Sequence, residues 1–101
     1  MNRVFEALAH PTRREILEML KSGSKTAGEI ADAFRVSKPT MSGHFAKLKE
    51  AGLIQADQQG TTIFYSINLS TLEEVLLGFM GRIGVAEGKQ GPDRAAKGER
   101  A

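Results

Sequence analysis

The 101-residue chain predicts a mostly α, α+β fold: four short helices, a β-hairpin and one closing helix. Three observations predict it. Apolar residues recur at three- and four-residue spacing up to about residue 51, alternate singly through residues 53–67, then return to helical spacing. Thr26 stands three residues before Glu29, and Ser70 three before Glu73, the pattern of a capping box at a helix start. Glycines punctuate the segment ends at Gly23, Gly52 and Gly60.

The first helix rests on Val4, Phe5 and Leu8 and ends near Ala9. His10 precedes a proline and so leans away from helix, while Pro11 suits the first position of the second helix. That helix puts Ile16, Leu17 and Leu20 on one face and stops at Gly23. The Thr26 capping box opens a third helix over residues 27–34, with Ile30, Ala31 and Phe34 as its buried side. Ser37 caps a fourth, with Pro39 in a first turn where a missing N–H costs nothing. Met41, Phe45 and Leu48 face inward, and Gly52 ends it.

Residues 53–68 read as two strands around a turn at Asp57 to Gly60, with Ile63, Tyr65 and Ile67 on one face. Ser70 starts the last helix, whose Leu72, Val75, Leu76, Phe79, Met80 and Ile83 form a wide apolar stripe. From Val85 the chain has little to bury, and disorder is expected over 85–101 beside one domain over 1–84. Two short helices around a tight turn, followed by a hairpin, make a winged helix-turn-helix.

Composition excludes several functions. Without cysteine there are no disulfides, thiolate metal sites or thiol switches. The opening residues hold no apolar run long enough for a signal peptide, and the longest apolar stretch is about half a bilayer span and broken by Arg82. A cytoplasmic protein without membrane insertion is expected. No glycine-rich phosphate loop follows a strand, and neither histidine has an evident Ser or Asp constellation, so an enzyme is not expected.

The net charge of +2 says little, but its distribution says more. Residues 35–49 carry four Lys or Arg and no acid. With Met41, Phe45 and Leu48 inward, the opposite side of the fourth helix presents Thr40, Gly43, His44 and Lys47, with Lys38 and Ser42 at its margins. Lysine meets phosphate or guanine, hydroxyls serve either, and a carboxylate there would be repelled by phosphate. Double-stranded DNA is the expected partner.

The runs "ALAHPTRREIL", "TAGEIADAF", "VSKPTMSGHFAKLKEAGLI" and "GTTIFYSI" resemble the ArsR/SmtB family of bacterial winged-helix repressors, over roughly residues 3–84. Within it the chain looks nearest to the metal-independent autorepressors. The resemblance implies a homodimer held by the first and last helices, bound to an inverted repeat in promoters, often its own. It carries Ser37, Lys38, Pro39, Thr40, Ser42, His44 and Lys47 onto the family's DNA contacts, and Gly43 lies among them. In the wing, Gln58, Gln59 and Thr61 are left to bond phosphates, where relatives often carry arginine.

The implied dimer interface is Val4, Phe5, Leu8, Leu72, Leu76, Phe79, Met80 and Ile83. Many relatives sense metal through cysteines on the third helix or His and Asp pairs on the last. Here the third helix has none, and the last offers only Glu73 and Glu74, about 100° apart on a helix, so neither metal nor cofactor is expected.

The sequence is compatible with two readings at several positions. His44 is either a DNA contact, strengthened at low pH, or a packed neutral ring. Gly43 either permits close approach to DNA or is neutral. Pro11, Thr12 and Arg13 either build a helix start or touch phosphate. The competing function is a winged-helix module for protein partners, titrated by a protein that could be a membrane protein, and a protein anti-repressor is left open as a partner.

Overall fold

The computed structural model describes residues 2–84, so the expected tail over 85–101 lies outside the described residues. The chain forms two compact units, one running to Thr71 and one beginning at Leu72. The first holds α1 (Asn2–Leu8), α2 (Pro11–Leu20), β1 (Lys25–Thr26), α3 (Ala27–Asp32), α4 (Lys38–Glu50), β2 (Ile54–Gln59) and β3 (Thr62–Ile67). The helix α5 (Leu69–Arg82) begins at its end.

Apolar periodicity becomes core in the first unit. Ile16, Leu20, Ile30, Leu48 and Leu53 are fully buried, drawn from α2, α3, α4 and the entry to the hairpin. Val4 and Ala7 represent α1, while Phe5 and Leu8 are only half-buried. Phe45 of α4 stacks on Tyr65 of β3 with ring centroids 4.5 Å apart, fastening α4 to the sheet. Burial raises the Tyr65 hydroxyl's pKa above its usual value.

The helix ends follow local chemistry. The Thr26 capping box is present in full: Thr26 Oγ1 accepts from the Glu29 N–H at 3.0 Å, and Glu29 Oε1 accepts from the Thr26 N–H at 2.8 Å. Helix α3 stops at Asp32, two residues short of expectation, because the Ala33 and Phe34 N–H groups reach back only three residues, to Ile30 and Ala31. At the end of α4 the Gly52 N–H bonds the Lys49 carbonyl at 2.9 Å and the Leu53 N–H bonds that of Leu48 at 3.0 Å. This is a Schellman closure, and its left-handed residue is Gly52 at φ 77°.

The sheet differs from the expected hairpin in two respects. It has three antiparallel strands in the order β1-β3-β2, since Lys25 and Thr26 pair with Tyr65 and Phe64. Two residues are too few for a sequence period, so β1 is invisible without its partner. The turn is also tighter than expected. Asp57 and Gln58 pair with Phe64 and Ile63, and Gln59 with Thr62, leaving Gly60 at φ 63° and Thr61 as the turn. Only Tyr65 of the expected Ile63, Tyr65, Ile67 face is buried, and the other two are half-buried.

Helix α5 starts one residue before the expected cap. Asn68 Oδ1 accepts from the Thr71 N–H at 3.4 Å, so Asn68 caps where Ser70 was expected to. The helix holds no buried residue, and Leu76, Leu77, Phe79 and Ile83 are 36%, 58%, 40% and 58% exposed.

Replacing Gly52 by alanine forces an L-residue into the left-handed region, and its Cβ would stand 3.5 Å from the Thr71 methyl. Urea unfolding of Gly52→Ala is expected to show a loss of about 1–2 kcal/mol, with an unchanged m-value.

Candidate nucleic-acid interface

Helix α4 is two-sided. Met41, His44, Phe45 and Leu48 are buried, at the 3- and 4-residue steps of one helical face. Lys38, Pro39, Thr40, Ser42, Gly43, Ala46, Lys47 and Lys49 are exposed. The exposed side carries three lysines, and Glu50 is the helix's one acid, in its last position.

The N-terminal end is held rigidly. Ser37 Oγ accepts from the Thr40 N–H at 3.3 Å and donates to Thr40 Oγ1 at 3.0 Å, so the two hydroxyls form one unit. Pro39 in the first turn needs no N–H partner. At Gly43 a Cβ would meet no heavy atom within 4 Å. The protomer's own packing therefore does not require glycine there.

His44 is where sequence and structure part. Its expected place was the outward stripe, but the ring is 6% exposed. Nη1 of Arg13 lies 3.2 Å from His44 Nδ1, and the ring of His10 is 4.6 Å away at 54°. Arginine only donates, so His44 Nδ1 accepts and its proton sits on Nε2. Burial lowers its pKa below the ordinary 6.5, and the neighbouring His10 and Arg13 act in the same direction. The expected low-pH gain of a phosphate contact at His44 is thus replaced by a neutral, inward-facing acceptor. The spacing 41-44-45-48 could have revealed this, but 40-44-47 competes with it at equal regularity.

Arg13 was the residue whose role sequence left open. Its Nε donates to the Ala7 carbonyl at 2.8 Å and its Nη2 to the Glu6 carbonyl at 2.9 Å, while Arg14 Nη1 donates to the Leu8 carbonyl at 2.6 Å. These carbonyls lie in the last turn of α1, where that of Glu6 also accepts from the Ala9 N–H at 3.2 Å, and cations there also favour the helix dipole. His10 caps α2 by accepting from the Thr12 N–H at 3.1 Å on Nδ1. The "HPTRR" run thus builds the junction of α1, α2 and α4.

The wing stands out as an exposed ribbon over residues 55–62. Gln59 Nε2 donates to Asp57 Oδ2 at 3.1 Å and Gln58 Nε2 to the Gly60 carbonyl at 3.2 Å. Thr61 is exposed at the tip. The expected interface residues of α1 and α5 divide. Val4 is 3% exposed and belongs to the core, Phe5, Leu8, Leu72 and Met80 are half-buried, and Leu76, Phe79 and Ile83 are exposed. Among the described residues no group of three or more His, Cys, Asp or Glu converges, and no helix is long and apolar enough to cross a membrane.

A capped basic helix beside α3 and a projecting hairpin define a winged helix-turn-helix regulator of the DNA-binding type. The sequence profile of the bacterial regulatory protein, arsR family, matches residues 10–56, and the chain belongs to that family. It is 47% identical over 74 residues to the transcriptional repressor SdpR of Bacillus subtilis (strain 168), covering 73% of this chain and 82% of that one. It also resembles a crystallised ArsR family transcriptional regulator, with TM-score 0.76 and 30% identity over 85% and 89% of the two chains. A third likeness is to the homodimeric winged helix-turn-helix DNA-binding domain of a possible ArsR-family regulator from Mycobacterium bovis. There the TM-score is 0.65 and the identity 30%, over 85% and 81%. The family and these relatives are regulators, not enzymes.

The buried histidine predicts a pH response. The folded pKa of His44 lies below the unfolded 6.5, so the unfolded chain binds the extra proton as pH drops through that value. Its stabilising contribution is complete above about pH 6.5 and declines below it. Thermal unfolding between pH 7 and 5 is expected to show a falling Tm, with a shallower fall in His44→Gln.

Proposed function

We propose that the chain is a dimeric transcriptional repressor that seats two copies of α4 in successive major grooves of an inverted-repeat operator, its own promoter among the targets. Repression acts by occupancy, the dimer excluding polymerase. The observation that carries this reading is the exposed side of α4, where Lys38, Thr40, Ser42 and Lys47 stand without a carboxylate until Glu50. Lys38 and Lys47 meet phosphate or guanine, and Thr40 and Ser42 bond either bases or backbone. Ser37 and Pro39 hold the helix end against the backbone. Gly43 brings α4 close to the groove floor, which its open surroundings in the protomer support. His44 serves from within, positioning α4 through Arg13.

Gln58, Gln59 and Thr61 place neutral donors over flanking phosphates. The wing therefore adds contacts but little charge, and α4 supplies most of the salt dependence. Dimerisation is supported by the apolar α5, on which Leu76 and Leu77 remain exposed, as does Ile83 just beyond its end. Phe5 and Leu8 of α1, and Leu72, Phe79 and Met80, are the remaining residues of the proposed interface, and the homodimeric relative from Mycobacterium bovis supports dimerisation. Two-fold symmetry sets half-sites about 34 Å apart. Operator binding is proposed to need no metal.

Footprinting on the chain's own upstream DNA tests the reading directly. Protection of an inverted repeat, unchanged by EDTA, is expected, and protection without symmetry would refute it. Lys38→Gln and Lys47→Gln are each expected to weaken binding and lower the log–log salt slope by roughly 0.9 per lost phosphate contact. Leu76→Glu is expected to produce monomers by light scattering and to lose operator binding with them. Gly43→Ala should stabilise the fold by up to about 1 kcal/mol yet weaken DNA binding; equal or tighter binding would refute the close approach.

A further inference from the structure

A cleft of about 240 Å3 opens between α3 and α4, beside the stripe assigned to DNA. Its floor is Met41 and Phe45, both buried in the core, and Ala31 forms a low wall. At its mouth stand Val36, Lys38 and Ser42. No acidic residue lines it, and Lys38 is its one charged group. We propose that this cleft is an effector site for a small apolar carboxylate, an arylacetate or a short branched acid, whose occupancy is incompatible with bound DNA.

Four features support that occupant. The floor and walls offer carbon and no hydrogen-bond partner, which suits an apolar body. The Lys38 ammonium and the Ser42 hydroxyl at the mouth suit an anionic head, since a charge-assisted hydrogen bond outweighs a neutral one. Gly28 lines the cleft from α3, and a Cβ there would find only Thr26 Oγ1, at 4.0 Å. As the second residue of α3 it contributes no side chain to that wall. Val36 is 41% exposed in the turn between the two helices, an apolar surface that an occupant would cover. The volume lies below that of drug-sized pockets, so the occupant has roughly ten heavy atoms.

The consequence for DNA rests on the function proposed above; the binding itself does not. Lys38 and Ser42 belong both to the cleft mouth and to the outward side of α4, so a carboxylate held there competes with phosphate for the same ammonium. A ligand that binds only the free protein lowers apparent DNA affinity by the factor 1 + [L]/Kd.

The test titrates the full chain with phenylacetate while following NMR signals of the Met41 methyl and Phe45 ring, with toluene and acetate in parallel. Phenylacetate is expected to shift both saturably, with Kd on the order of 0.1–3 mM for so small a ligand in an open-mouthed site. Toluene is expected to bind at least about fivefold more weakly, and acetate not to saturate. Gly28→Leu, which puts a bulky side chain on a residue lining the cleft, should abolish the shifts, and Val36→Ser and Lys38→Gln should each weaken them about threefold or more.

No saturation, or saturation that survives in a folded Gly28→Leu, overturns the site. Should Gly28→Leu fail to fold, undiminished binding in Val36→Ser overturns it instead. Toluene binding as tightly as phenylacetate overturns the carboxylate assignment. In a parallel anisotropy titration with upstream DNA, saturating phenylacetate should lower affinity by the factor above. Saturation of the cleft without that loss overturns the competition, whereas absence of DNA binding before any ligand is added counts against the proposed repressor.

Discussion

The rotation of α4 about its own axis is the constraint on which everything else depends. Burying Met41, Phe45 and Leu48 gives about 1.5–3 kcal/mol each, and turning the helix by one residue, about 100°, would forfeit much of it. Exposed charges contribute at most about 1 kcal/mol per pair and cannot oppose that. The core therefore decides which residues meet a partner. Lys38, Thr40, Ser42 and Lys47 point outward because three apolar side chains and one imidazole point inward.

The second hold on α4 is polar. Arg13 reaches two carbonyls at the end of α1 and, with a further N–H, the buried face of His44. Its guanidinium thus supplies a donor to the Ala7 carbonyl and to His44 Nδ1, and adds a second donor to the Glu6 carbonyl, which also accepts from the Ala9 N–H. A charged donor suits the carbonyls, and it also requires His44 to stay neutral, since an imidazolium would face a guanidinium and a second histidine. The junction gains rigidity at the cost of acid sensitivity. It also explains the "HPTRR" run as architecture: His10 caps, Pro11 begins the helix, Arg13 and Arg14 finish the previous one.

Charge is distributed unevenly over the two elements proposed to meet DNA. On α4 three lysines stand against one acid, Glu50 at the last position, while on the wing the single charge, Asp57, is engaged by Gln59. A neutral wing can still follow a backbone through amide and hydroxyl groups, but in the proposed complex the long-range attraction comes from the helix. The cleft between α3 and α4 lies beside that same basic stripe, so a small anion and a polyanion would be drawn to one place.

Much was legible in the sequence because it is local. The Thr26 capping box, the Ser37 cap, the glycine closure at Gly52 and the apolar periods of α2 and α4 are set within four or five residues, and each was expected where it stands. Family membership was legible through the same runs. What tertiary structure alone decided involves partners far apart in sequence. A two-residue strand exists only by pairing with Tyr65 and Phe64, and the hairpin turn tightened because Asp57 and Gln58 found partners across the ladder. His44 satisfied two helical spacings equally. Its burial was settled by Arg13, 31 residues earlier, which arrives through the folded junction and gives the ring a donor inside the core.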